Sequence, residues 1–331
     1  MKGVILVENS FVHPYMPNSV PENKKAMLDE LGINSVEDIY KSIIPDELLY
    51  KERLDIPEPI RSEYELKRHV MGILNRDITT EEYTSFLGAG CYKHQVPAIC
   101  DEINSRGEFL TAYCGDTYSD HGKMQAIFEY TSMMGELLDT DVVSYTTYDG
   151  GQAVASSLRM AVRAVREKGM AGKVILVPKT MNPEIYSQVV QYCRNVAEVR
   201  KIAYEPETGL MDLEELKEQL AKKNVAAVFF ENPTYLGNFE TRGEEIAKLA
   251  HDAGAYCVVQ TEVAALGIME SPVNQGADIV CGDIQPLGMH IQFGGGQAGF
   301  IACNQNMDLV EQFPTYMYGI TETEKEDTYG W

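Results

Sequence analysis

The stretch Val142-Val-Ser-Tyr-Thr-Thr-Tyr-Asp-Gly-Gly-Gln-Ala-Val-Ala-Ser-Ser-Leu-Arg-Met-Ala-Val-Arg-Ala-Val-Arg166 reads as a short apolar strand, a turn with two adjacent glycines and an amphipathic helix over residues 152–166. Downstream of it, short apolar runs recur: Lys173-Val-Ile-Leu-Val177, Glu198-Val-Arg-Lys-Ile202, Val225-Ala-Ala-Val-Phe-Phe230, Tyr256-Cys-Val-Val-Gln260, Asp278-Ile-Val-Cys281 and Gly299-Phe-Ile-Ala302. Helical patterns at residues 212–223 and 243–253 separate some of them. Alternation of this kind is the signature of an α/β domain with a mainly parallel sheet and crossover helices. It begins near residue 86.

Upstream the texture differs. Residues 18–80 are polar, punctuated by proline and helical in pattern; Ser35-Val-Glu-Asp38 offers a capping box, and Ile56-Pro-Glu-Pro-Ile60 reads as an extended connector, because a proline disfavours helix in the residue before it. The expected organisation is an N-terminal helical arm over residues 1–85, an α/β domain over 86–310 and the start of a C-terminal segment over 311–331.

Bulk chemistry narrows the function. The 331 residues carry 50 acidic and 28 basic side chains, a formal net charge of −22. That balance argues against nucleic acid and against an anionic membrane surface, both of which need clustered Lys and Arg. No stretch approaches the roughly 20 apolar residues that span a bilayer, and the start MKGVILVENSFVHPY has no secretory pattern, so a cytoplasmic location is expected. Seven widely spaced cysteines, with no Cys-x-x-Cys pair, point to reduced thiols and no metal site.

Four segments are candidates for a site. In Tyr148-Asp-Gly-Gly-Gln152, Gly150 and Gly151 would expose backbone N–H groups at a helix N-terminus, where a phosphate binds well; a tight strand-to-helix turn without a ligand fits equally. Phe86-Leu-Gly-Ala-Gly-Cys-Tyr-Lys-His-Gln-Val-Pro97 puts Tyr92, Lys93 and His94 on a constrained loop. Asn232, Thr234 and Tyr235 follow the most apolar strand, and Glu262 follows another; in an open α/β sheet the carboxyl ends of the strands border the ligand crevice. Finally, residues 281–300 are glycine-rich, yet neither lysine nor arginine occurs between Lys248 and Lys325. A glycine-lined floor without cations is an unusual place for a phosphate or a Schiff base.

Taken in order, FLGAGCYKHQVPAICDEINSRGEFLTAY, QAIFEY, DVVSYTTYDGGQAVASSLRMA, ENPTYLG and GADIVCGDIQPLGMHIQFGGGQAGF resemble subunit 1 of the glycine cleavage system P-protein, and the arm MPNSVPENKKAMLDELGINSVEDIYKSIIPDEL matches as well. The resemblance implies the aspartate-aminotransferase fold, fold type I of the pyridoxal-phosphate enzymes. It implies a glycine decarboxylase that passes the aminomethyl group to the lipoyl arm of a carrier, the H-protein. In the two-subunit form of that enzyme, the lysine that holds pyridoxal phosphate covalently sits in the other subunit, subunit 2. Gln285-Pro-Leu-Gly288 stands in the matching place here. By resemblance this chain therefore has no catalytic residue of its own and works in a hetero-oligomer. It contributes a wall of the active site through Tyr92, His94, Tyr113 and His121, and retains a cofactor-like pocket at Gly150, Gly151, Asn232, Glu262 and Gln285.

Three departures from the family's pattern stand out. Thr111-Ala-Tyr-Cys-Gly-Asp-Thr-Tyr-Ser-Asp-His-Gly122 rewrites a loop of the family and introduces Cys114, Asp116 and His121. Glu262 stands where an aspartate is usual. The family continues beyond the position of Trp331, so the small C-terminal domain is expected to be shortened or absent. Two other readings stay open on these grounds: a subunit repurposed for another substrate, and a non-catalytic subunit that only docks a partner.

Overall fold

A computed structural model describes residues 12–50, 52, 54–86, 92–107, 121–169, 172–291 and 297–330. The chain forms two compact units, Met1–Ile78 and Thr79–Trp331. In the first, helix α1 (Pro21–Leu31) starts on a proline and ends at Gly32 in the left-handed region (φ 68°), the usual punctuation for a short helix. Before α2 (Glu37–Lys41), Asp38 accepts hydrogen bonds from the N–H groups of Asn34 and Ser35 at 3.1 Å, the backward half of the capping box. Ser62 caps α3 (Glu63–Leu74). None of the three helices contains a buried residue.

The second unit holds helices α4 (Ala98–Asn104) and α5 (His121–Leu138) and a seven-stranded sheet. Its strands are β1 (Val142–Val143), β2 (Val174–Pro178), β3 (Glu198–Ile202), β4 (Val225–Asn232), β5 (Tyr256–Glu262), β6 (Ile279–Asp283) and β7 (Gly299–Cys303), in the order β1-β7-β6-β5-β4-β2-β3. The neighbours from β3 to β6 are parallel, whereas β7 is antiparallel to both β6 and β1. Every residue of β2, β4 and β7 is buried, as a sheet covered on both faces requires. The edge strand β3 instead exposes Glu198 and Lys201.

Side chains alternate between the two faces of each strand. On one face, Ile175, Val177, Ala227, Phe229, Val258 and Ile279 pack with helices α6 (Gly150–Glu167) and α7 (Pro183–Cys193). On the other, Leu176, Val228, Phe230, Val259 and Val280 pack with α5, α8 (Leu213–Leu220) and α9 (Gly243–Asp252). Helix α10 (Met307–Val310) and a small hairpin, β8 (Thr321–Glu322) with β9 (Tyr329–Gly330), follow. The described cysteines are all free thiols.

Strands β4, β5 and β6 run two residues further than their apolar runs, to Asn232, Glu262 and Asp283. The reason is tertiary: Glu231 pairs with Gln260, Thr261 with Gly282 and Glu262 with Asp283, so neighbouring strands satisfy backbone groups of residues whose side chains favour turns. The chemistry-bearing residues therefore sit on strand ends rather than in free loops. Gly282 belongs to this edge. A Cβ there would overlap the Thr261 carbonyl and lie 3.0 Å from the Phe300 ring. Gly282→Ala is expected to cost about 2 kcal/mol or more in chemical denaturation, since neither backbone nor ring has room to move; an unchanged midpoint would contradict the tight ladder.

Candidate functional site

At the carboxyl edge of β5 and β6 lies a cleft of about 80 Å³ lined by Tyr92, Asp149, Gly150, Gly151, Asn182, Glu184, Ile185, Gln188, Gln260, Thr261, Glu262, Asp283 and Gln297. Local sequence explains how the elements reach it. Asp149 is extended and caps α6, its carboxylate accepting from Gln152 N–H at 2.6 Å. Asn182 caps α7 through Glu184 N–H at 2.9 Å, with Pro183 at the first helical position. Two helix N-termini thus converge on the cleft.

The strongest link across it runs from the end of β6 to the start of α6. Asp283 accepts from Gly150 N–H at 3.0 Å with one oxygen and from Gln285 N–H at 2.6 Å with the other. Gly150 must be glycine for this approach: a Cβ there would come within 3.0 Å of Asp283. Burial pushes the Asp283 carboxyl up to about 6, against the pull of its two N–H donors and with the help of nearby Asp149 and Glu262. Glu262 accepts from Ala265 N–H at 3.0 Å; its other oxygen, and the side-chain oxygen of Gln260, are buried without a hydrogen-bond partner among the described residues.

The residues singled out from sequence separate into groups. Tyr92, Gly150, Gly151 and Glu262 come together on the cleft. Asn232 does not: its side chain turns to the backbone of Glu240, accepting from the N–H at 3.2 Å and donating to the carbonyl at 3.4 Å. Gln285 lies behind the lining and is 1% exposed. Tyr235 is on the surface, and Thr234 bonds to Asn238. His94 neighbours Tyr92, with Nδ1 2.9 Å from the Tyr92 carbonyl oxygen; Nε2 is buried and has no partner among the described residues. Tyr113, Cys114, Asp116 and the side chain of His121 lie outside the described residues.

Sequence reading missed Asp149, Asp283 and the Asn182–Gln188 turn. Asn-Pro-Glu at 182–184 carried a helix-start signal. Asp149-Gly-Gly-Gln152 carried one as well, whereas the role of Asp283 had none, because it comes from a bond to Gly150, 133 positions away.

Pyridoxal phosphate, the group that the fold implies, does not fit these residues. The helix N-terminus that would hold its phosphate already donates Gly150 N–H to Asp283, and among the described residues the lining contains Asp149, Glu184, Glu262 and Asp283 but no lysine or arginine. A phosphate dianion placed there would face carboxylates with no compensating cation.

A seven-stranded sheet with this order, one antiparallel strand and a cleft at its carboxyl edge defines the chain as a fold-type-I pyridoxal-phosphate-dependent transferase in architecture. The sequence pattern of the glycine cleavage system P-protein matches residues 13–329. Curated relatives include probable glycine dehydrogenase (decarboxylating) subunit 1 of Staphylothermus marinus, 35% identical and covering 94% of this chain and 66% of the relative. The protein of the same description from Pyrococcus horikoshii is 38% identical, covering 93% and 67%. The crystal structure of a glycine decarboxylase (P-protein) of the glycine cleavage system superposes with a TM-score of 0.76 at 31% identity, over 96% of this chain and 67% of that one. A sphingosine-1-phosphate lyase from Burkholderia pseudomallei, 14% identical with a TM-score of 0.56 over 81% of this chain and 64% of that one, shares the fold alone. The chain belongs to the glycine cleavage system P-protein family, and it spans about two thirds of the length of the curated relatives it matches.

Beneath the cleft, Glu231 at the end of β4 accepts the Asn182 N–H with both oxygens at 3.2 Å, fixing the start of α7. Burial pushes this carboxyl up from 4.5 to about 7. The fold therefore favours the neutral acid, and that contribution to stability is complete below about pH 4.5 and lost as pH rises through about 7. Chemical denaturation at pH 5 and pH 8 should show wild type losing stability between the two, and Glu231→Gln losing less, because glutamine keeps an acceptor but does not ionise. Equal losses would rule out Glu231 as the source.

Proposed function

We propose that this chain is the subunit of a two-subunit glycine decarboxylase that does not carry the cofactor lysine. It pairs with a lysine-bearing subunit 2, and the aminomethyl group passes to the lipoyl carrier, the H-protein. The observation that carries the reading is the carboxylate-lined cleft, cation-free among the described residues, in a chain of the P-protein family. The names of the curated relatives, subunit 1 of a decarboxylating glycine dehydrogenase, support it.

Pyridoxal phosphate, held by the partner's lysine in this reading, would supply the electron sink that decarboxylation of an amino acid needs. What this chain adds is a wall. Tyr92 borders the cleft and also a second groove lined by residues 80–85, Lys93 and Ile291. The bond between His94 and the Tyr92 carbonyl requires a proton on Nδ1, so in the neutral ring Nε2 is an acceptor. Nε2 is buried in this chain without a partner among the described residues, so in this reading it accepts a hydrogen bond from a group brought to it when the pair assembles. Tyr113 and His121 belong to the same wall in this reading. A second reading, action on a different amino acid, rests on the altered sequence at 114–122.

The test is to purify the chain alone and co-expressed with a lysine-bearing subunit 2, then record the visible absorbance of bound pyridoxal phosphate and the exchange of labelled CO₂ with glycine. Absorbance and exchange are expected only in the pair. Absorbance in the chain alone would overturn the assignment, and a coloured pair that exchanges CO₂ with another amino acid but not glycine would select the second reading. Within an active pair, His94→Ala should lower the exchange rate by about tenfold or more.

A further inference from the structure

Gln285 occupies the place where, by resemblance, the partner subunit carries its lysine, yet its side chain does not open onto the cleft. It starts the short 3₁₀ turn Gln285–Leu287 directly after β6 and is 1% exposed. Its amide oxygen accepts the Tyr92 N–H at 3.2 Å, and its amide nitrogen donates to the Tyr92 carbonyl at 3.3 Å and to the Met289 carbonyl at 3.0 Å. One side chain thus satisfies both backbone groups of a residue 193 positions away and ties them to its own turn.

We infer that Gln285 is the positioning residue that holds Tyr92 at the wall of the cleft, and with it the carbonyl to which His94 bonds. Only an amide of this length does so: an ammonium has no acceptor for the Tyr92 N–H, a carboxylate no donor for the two carbonyls, and an apolar side chain neither. The hold is relayed from the sheet. Asp283 fixes the Gln285 backbone at 2.6 Å, Gln285 fixes Tyr92, and the Tyr92 carbonyl lies 2.9 Å from His94 Nδ1. Next to Tyr92, Lys93 is anchored separately, to the Thr80 carbonyl at 2.5 Å and to Glu81 at 3.3 Å, so the amide clamp governs Tyr92, which lines the cleft, rather than the whole loop. The functional half of this inference rests on the proposed glycine decarboxylase reading. The structural half does not.

The experiment uses Gln285→Leu, which removes donors and acceptor. In the chain alone, backbone hydrogen exchange at Tyr92 is expected to accelerate by about tenfold or more in Gln285→Leu, with the amides of β4 and β5 unchanged. Acceleration under twofold overturns the clamp. In the assembled pair, kcat for glycine–CO₂ exchange is expected to fall by about fivefold or more while KM for glycine stays within about twofold, because a displaced wall is felt more in the transition state than in binding. A normal kcat with a loosened Tyr92 overturns the positioning role. Should Gln285→Leu fail to fold, Gln285→Met, closer in shape and equally without the donors and the acceptor, decides in the same exchange measurement: acceleration at Tyr92 of about tenfold supports the clamp and acceleration under twofold overturns it. Absence of exchange in the wild-type pair overturns the proposed function instead, and the measurements on the chain alone still decide the clamp.

Discussion

The carboxylate of Asp283 is the joint on which the site depends. One oxygen receives the first amide of α6 and the other the amide of Gln285, so the end of β6, the start of the long buried helix and the turn beneath Tyr92 are held by a single side chain. Its buried position costs it acidity, and two N–H donors offset part of that cost. In this arrangement the positive end of a helix, which elsewhere attracts a phosphate, is satisfied from within the protein.

That internal satisfaction accounts for the chemistry of the cleft. A fold-type-I sheet delivers glycines and helix N-termini to its carboxyl edge whether or not a ligand follows. Here the delivered groups meet Asp149, Glu184, Glu262 and Asp283 and, among the described residues, no cation. The helix N-terminus at Gly150 is occupied by the chain's own Asp283 carboxylate, so the charges of the cleft differ from those of a phosphate site.

Around the cleft the fold is braced by polar contacts as well as by the apolar core. Glu240, buried at the side of β4, accepts from Met211 N–H at 2.9 Å and pairs with Arg242, which also reaches Glu205 at 2.7 Å and the Met211 carbonyl at 2.7 Å. Asn232 closes the same loop from the strand end. Buried groups so paired specify one arrangement of the loops, since an unmade bond at any of them exposes an unsatisfied partner. By contrast, among the described residues of the first unit no helix has a buried residue, and Leu31, Ile43, Leu48 and Met71 are exposed. Among the described residues, no helix is long and apolar enough to cross a membrane.

The sequence by itself determined the α/β class, the positions of all seven strands of the main sheet and the helices at 150–167, 213–220 and 243–252, because apolar period and helix punctuation are local properties. Motif order carried the family, and with it the expectation that no lysine would stand at Gln285. Only the tertiary structure decided the antiparallel β7 between β6 and β1, the extension of three strands to Asn232, Glu262 and Asp283, and the division of labour at the site. Asn232 and Gln285, which sequence placed in one pocket with Gly150 and Glu262, turn away to bind backbone, whereas Asp283, which carried no motif, faces the cleft beside the helix cap Asp149. Side-chain direction at a strand end depends on which distant backbone group lies within about 3 Å, and that distance is set by pairing between segments far apart in the chain, which no local pattern records.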